Sequence, residues 1–389
     1  MSEPAPSSSA QMNEAQASPP QRLLSLDVYR GMVMLLLASS GLGIARATVK
    51  GEGALAKWLH FEFSHPEWSS QFHLAGFALW DMIQPAFMFI VGVSMPFSYE
   101  KRAKLGQSFG HRFRHAWTRA LILILLGVFL QSMRRTETNW MFTNVLSQIG
   151  LGYGFLFLLV GKSWRTQFMV GIGVLISYWA LMLIFPLGYG SIAEHFENTK
   201  SFPQQVDLWF LNLFPSSKPF TGHPYSTLNF IPAFVTMLMG LMCGQVLKNK
   251  SLPDGAKLRK LWTAAILCLA VGIAWSFLYC PVVKKLWTPS WTLYSGGDVI
   301  GALALLYWII DVKKWKNWVF PFVVVGLNPL TMYLLGQVCK GFTVKSLKTH
   351  LPDALFTGTF GPVVEATLVV VIFWLILWWM YRKRVFIRM

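Results

Sequence analysis

The chain is expected to be an all-α, polytopic membrane bundle of about ten transmembrane helices, with eleven possible. Three observations predict this. Of its 389 residues, 54% are hydrophobic and only 13% are charged, against roughly 25% charged in a soluble domain. The apolar residues fall in runs near the roughly 20 residues that cross a bilayer as a helix. The runs lack the alternation of a membrane β-barrel, and backbone groups in lipid must be satisfied within each span. Ordinary soluble folds and disorder outside the ends are thereby excluded. The four Cys show no CxxC and no metal-ligand spacing, so no disulfide framework and no metal is expected.

Residues 1–21 are rich in Ser, Pro, Ala and Gln, with no aromatic residue, and are expected to be a disordered cytoplasmic tail rather than a signal peptide. A single transmembrane domain follows, 22–389. The expected spans are 28–47, 78–99, 117–133, 142–161, 167–187, 227–247, 261–281, 291–311, 318–337 and 362–381. With the N-terminus inside, 22 of the 34 Lys and Arg fall in inner segments, as the positive-inside rule requires. The net charge of +17 therefore reads first as topology and not as a nucleic-acid footprint. Three outer segments are long, 48–77, 188–226 and 338–361, and hold six of the eight His. In the first of them, residues 55–63 form an amphipathic stretch suited to the membrane interface.

Ionisable groups at membrane depth are the first functional candidates. They are Asp27, which can pair with Arg30 three residues on, Asp81, Asp298 and Glu365. Pro85 lies four residues after Asp81 and should free the Asp81 carbonyl and bend the helix there. Asn229, ahead of Pro232, and Asn328, ahead of Pro329, mark similar breaks that could meet in one cavity or simply glue helices together. The chain has no Walker loop, Rossmann fingerprint, HExxH or GxSxG. What remains is an outer loop with His65, His73 and Trp68 next to a carboxylate helix. His is the natural base near neutral pH.

The motifs occur in a telling order. RLLSLDVYRG at 22–31 is followed by HPEW at 65–68 and WDMIQPAFMFIVG at 80–92. NVLSQIGLGY at 144–153, TLNFIP at 227–232, LWTPSW at 286–291 and GLNPLTMY at 326–333 come next. This succession resembles the heparan-α-glucosaminide N-acetyltransferase-like family, including its bacterial members, over about 22–381. The resemblance implies a transmembrane acyltransferase. It would carry acetyl from cytosolic acetyl-CoA, a donor substrate, to an amino or hydroxyl group of an extracytoplasmic sugar or glycan. The family's active-site His falls on His65, and the longer spacing to Asp81 leaves His73 as a second candidate. The family's Asn near the outer end of the first span is replaced here by Gly41.

On this reading His65, Asp81 and His73 are the catalytic candidates. Trp68, Asn229, Asp298, Asn328 and Glu365 would bind the acceptor. Arg30, Arg112 and Arg114, on the inner side, would hold the donor's phosphates. His65 could act as base or be acetylated first, since both use a neutral imidazole. The expected partners are acetyl-CoA, the extracytoplasmic sugar, the bilayer and, as an option, a second copy in a homodimer. A bacterial inner membrane with both termini cytoplasmic is expected. The alternative is a secondary transporter or flippase for a sugar or lipid-linked sugar, which would use the same broken helices and buried carboxylates. The missing internal repeat argues for the enzyme.

Overall fold

The computed structural model describes residues 23–65, 77–185, 191–197 and 200–387. The expected tail, with Arg22, and both Trp68 and His73 lie outside the described residues. Every regular element among the described residues is helical.

The chain opens with α1 (Leu24–Ser39) and the short α2 (Ile44–Thr48), bent by 52° from each other. Ser40, Gly41, Leu42 and Gly43 between them all have positive φ, which ends one helix and turns the chain before the next. The amphipathic stretch becomes α3 (Ala54–Glu62), with Leu55 and Trp58 exposed. After it come α4 (Ile83–Lys104), α5 (Phe109–Ser132), α6 (Val145–Leu159) and α7 (Trp164–Ile184). The α5, α6 and α7 starts are capped by Ser108, Asn144 and Ser163, each accepting an otherwise orphaned backbone N–H.

Beyond the short α8 (Phe202–Phe210) lie α9 (Phe230–Lys248), α10 (Asp254–Ser276) and α11 (Pro289–Leu306), the last prolonged by a π turn to Val312. Then come α12 (Phe320–Gly326), α13 (Pro329–Leu334) and α14 (Lys340–His350), and finally α15 (Gly361–Arg382).

Among the described residues, seven helices are long and apolar enough to cross a membrane, and up to nine segments qualify if each of two bent pairs counts as one span. The protein is thus an integral, multi-pass helical bundle. The remaining expected span, 142–161, is α6, whose 15 residues rise about 22 Å against a hydrocarbon core of about 30 Å. Centre and periphery differ sharply: 72% of the apolar window of α9 is buried and only 17% of that of α10. The outer helices instead present Leu121, Phe129, Ile176 and Ile266 outward, as lipid-facing helices do.

Small residues set the central contacts. Gly240 and Gly244 of α9 lie against the backbone at Phe89 and Val93, and Gly92 of α4 lies against that at Met237, so these two helices run parallel. Gly127 and Gly150 bring α5 and α6 together antiparallel, and Gly272 and Gly297 do the same for α10 and α11. The alternation places the start of α1, the end of α4 and the end of α15 on one face of the bundle, the terminal face. The heads of α4, α6, α9 and α11 lie on the opposite face.

Two expectations are corrected. Pro85 does not bend a helix after Asp81: a 3-10 turn, Leu79–Met82, carries Asp81, and Pro85 sits in the first turn of α4, where a missing N–H costs nothing. The proline inside α4 is Pro96. The ninth span does not run 318–337. Gly31 and Gly326 let α12 pack antiparallel on α1, the chain turns by 85° after Asn328, and the long helical run is Pro329–His350. Proline at the first position of α13 starts a helix there instead of interrupting one.

Candidate active site

Asp81 is 2% exposed at the head of α4. Its Oδ2 accepts the Ala78 N–H at 3.1 Å, which fixes the carboxylate against its own turn. Its Oδ1 lies 2.6 Å from His65 Nδ1 and accepts from Lys284 Nζ at 2.9 Å. A carboxylate oxygen accepts only, so the geometry makes His65 Nδ1 the protonated nitrogen and leaves Nε2 with its lone pair. The His65 side chain is 46% exposed, so its ring can meet a ligand while its partner cannot.

Local structure holds each member. Glu62 Oε2, at the end of α3, accepts the Leu79 N–H at 2.9 Å and so ties the strap bearing His65 to the turn bearing Asp81. Lys284 comes from the segment between α10 and α11. Thr288 Oγ1 donates to the Pro281 carbonyl at 2.7 Å and accepts the Val283 N–H at 3.1 Å. Asn229 Nδ2 donates to the Lys285 carbonyl at 2.7 Å, and Tyr178 OH donates to the Leu286 carbonyl at 3.1 Å. Trp287 and Trp291, both buried, follow directly and hold the end of the segment in the core.

Burial pushes the Lys284 ammonium below the usual lysine range, against the opposing pull of Asp81. Tyr225, whose ring centre is 5.8 Å from Lys284 Nζ, is pushed up to about 12 by burial and by the Asp81 charge.

His65 and Lys284 open on a cavity of about 210 Å³. Its upper wall is Trp80, Tyr225 and Thr143, and its lower wall is Leu37, Phe87 and Tyr333, with Gln84 and Gln337 as polar groups. The Tyr333 hydroxyl pairs with the Asn144 amide, with Asn144 Nδ2 donating at 3.2 Å, and the Tyr333 ring stacks on Phe87. The cavity thus reaches from the site face into the seam between α1, α4, α6 and α13. Its lining is mainly aromatic and aliphatic, Ile83 and Val145 included, with a few polar groups that could orient a hydroxylated ligand.

The other expected site residues are spread through the bundle. Asn229 touches the site only by holding the Lys284 segment. Asn328 donates to the Val385 carbonyl and accepts the Ile387 N–H, so it fastens the chain after α15. Glu365 binds Arg46 at 2.9 Å and Lys348 at 2.8 Å, tying α2, α14 and α15 together outside the cavity lining. Asp298 is half-buried in α11, with Tyr29 and Tyr294 as electrostatic neighbours. None of these three lines the cavity.

Arg30 pairs with Asp27 at 3.0 Å and contacts Ser94 on the terminal half of the bundle. Arg112 lies over the Tyr99 ring at 4.4 Å, and Arg114 is exposed beside it. Arg119, over Tyr153 at 4.8 Å, lies about 15 Å along α5 from its start, near the middle of the bundle. The basic face with Arg112 and Arg114 is separated from Asp81 by the length of α4, about 33 Å for 22 residues. Among the described residues no group of three His, Cys, Asp or Glu is placed to hold a metal ion.

Lys284 is the site residue that the sequence does not single out, because between the expected spans 261–281 and 291–311 it reads as one more outer charge. The available signal was a Lys pair inside an apolar stretch, just before the LWTPSW motif. No family model and no curated protein matches this chain.

Proposed function

We propose that the protein is a membrane acyltransferase that moves acetyl from cytosolic acetyl-CoA to an amino or hydroxyl group of an extracytoplasmic sugar, in a bacterial inner membrane with both termini cytoplasmic. The observation that carries this reading is the His65–Asp81 pair opening on an aromatic, mainly apolar cavity with a few polar groups. A thioester is attacked by an amine or hydroxyl that gives up its proton, and His65 Nε2 is free to take it. The acceptor's nitrogen or oxygen then bonds to the carbonyl carbon, the C–S bond breaks, and the proton leaves with the thiolate as CoA thiol. If acetyl passes first to the imidazole, the same Nε2 receives it. Asp81 orients the ring and stabilises its cation in either course, as in a catalytic triad. The basic cluster with Arg112 and Arg114 on the terminal face, and Arg30 on that half of the bundle, suits the donor's phosphates.

The test is incubation of the purified protein with labelled acetyl-CoA and a panel of cell-envelope sugars. Label is expected in a sugar, and His65→Ala is expected to lower the rate at least a hundredfold with the thermal midpoint retained. Transfer that survives His65→Ala but is lost in His73→Ala would move the site.

The second reading is a transporter or flippase for a sugar or lipid-linked sugar. Its supporting observation is that the two bent elements, α1–α2 and α12–α14, pack on each other beside the cavity. Sugar movement into vesicles without acetyl-CoA consumption would favour it.

A further inference from the structure

The geometry points to Lys284 as a positioning residue for His65: its ammonium shares Asp81 Oδ1 with the imidazole, offsets the carboxylate charge, and leaves the ring an uncharged base with Nε2 directed to the cavity. The purpose of this arrangement rests on the transfer reading above, but its existence can be tested without it.

Three atoms carry the argument. Asp81 Oδ1 is 2.6 Å from His65 Nδ1 and 2.9 Å from Lys284 Nζ, and Nζ is 3.5 Å from Nδ1. Both nitrogens are donors toward Oδ1, so the contact between them is not a hydrogen bond. It is a close approach of a cation to a ring nitrogen. A plain His–Asp pair favours the imidazolium, because the carboxylate charge is felt in full. Here a second unit charge stands almost as near to the ring with the opposite sign. The carboxylate still orients the ring, but much of its pull on a second ring proton is cancelled.

Burial makes this effective. Lys284 is 7% exposed and Asp81 2%, so neither charge is screened by solvent as a surface pair would be. The other titratable or charged groups around the pair, among the described residues, are Glu62 of α3, Tyr225 and Lys285. Glu62 is engaged with the Leu79 N–H, and Tyr225 presents its ring to the ammonium. The segment holding Lys284 is fixed by Asn229, Tyr178 and Thr288, so the ammonium is set in place before any ligand arrives.

The experiment reads the ring directly. Diethylpyrocarbonate acylates only unprotonated imidazole, and peptide mass spectrometry assigns the label to His65 rather than to His60. Labelling of the full-length protein in detergent is followed against pH. In Lys284→Met the half-point is expected to move up by at least one pH unit, about a tenfold loss of labelling at a fixed pH on the slope. Lys284→Arg should keep the wild-type half-point. The double variant Asp81→Asn with Lys284→Met, which carries neither charge, should return toward it.

An unmoved half-point in folded Lys284→Met overturns the proposal, and so does a double variant that fails to return. Where Lys284→Met does not fold, Lys284→Gln is read in its place, since it retains a hydrogen bond to Asp81 without the charge. A protein that shows these shifts but transfers no acetyl group refutes the transfer reading alone. A protein that transfers acetyl with unmoved half-points refutes the role of Lys284 alone.

Discussion

At the scale of single residues, a second buried carboxylate ties pH to stability. Asp207, on α8, is fully buried and accepts the Thr227 N–H at 2.7 Å, bracing the turn ahead of α9. Burial pushes its carboxyl up to about 6, against the pull of Thr227. The folded value lies above the unfolded 3.8, so the stabilising contribution is full below that value and is lost as pH rises through about 6. Asp207→Asn removes the titration. Its stability relative to wild type should therefore rise with pH, by on the order of 1 kcal/mol between about pH 5 and 8. Thermal unfolding of both proteins across that range checks it, and a gap that shrinks with pH contradicts it. His223, held low by burial, contributes with the opposite sign in both proteins and cancels in the difference. Residues of this kind are the least legible in sequence. Asp81 was visible because a carboxylate in an apolar run stands out. Lys284 was not, because a Lys outside the spans looks like any topological charge. Its burial comes with the approach of Asp81, His65 and Tyr225 from three other segments, which only the folded chain brings together.

At the scale of elements, the runs of apolar residues were readable and their breaks were only partly so. Pro329 signals a break, and the chain does turn there by 85°, but the sequence does not say on which side the long helix lies. The bend after α1 left a weaker signal, since Gly41 and Gly43 adopt positive φ easily and Ser40 and Leu42 are carried along with them. Helix contacts made through glycine were not legible at all, because a glycine reads the same whether or not a backbone lies against it. This gives a prediction. A side chain at Gly240 would meet the Phe89 backbone, whereas Gly173 on α7 has open space beside it. Gly240→Leu should cost at least about 1–3 kcal/mol by overpacking and should disturb the site, since α4 and the turn ahead of α9 hold Asp81 and the Lys284 segment. Gly173→Ala should be neutral or stabilising by about 1 kcal/mol. Thermal midpoints separate the two, and equal effects would mean that the α4–α9 contact is not tight.

At the scale of the whole molecule, the proposed reaction requires two faces with different partners. The terminal face gathers the basic residues at the end of α4 and the start of α5, with Arg112 over Tyr99. The opposite face holds His65, Lys284 and the cavity mouth. In the proposed orientation, which rests on charge density in the sequence, the first face is inside and the alternation of helices puts the second outside. Single cysteines can decide this. Gly110 is exposed in the first turn of α5, with nothing near a side chain added there, and Lys218 is exposed on the segment ahead of α9. The native cysteines are buried or half-buried, so the parent protein serves as the blank. A membrane-impermeant thiol reagent applied to intact cells should label Lys218→Cys and spare Gly110→Cys, and inverted vesicles should reverse the pattern. Labelling of both from one side would break the alternation of spans. A clean reversal would put His65 in the cytosol, and the acceptor would then have to be a cytosolic molecule while the basic face met the outside. The fold would survive that result, but the direction of acetyl transfer would not.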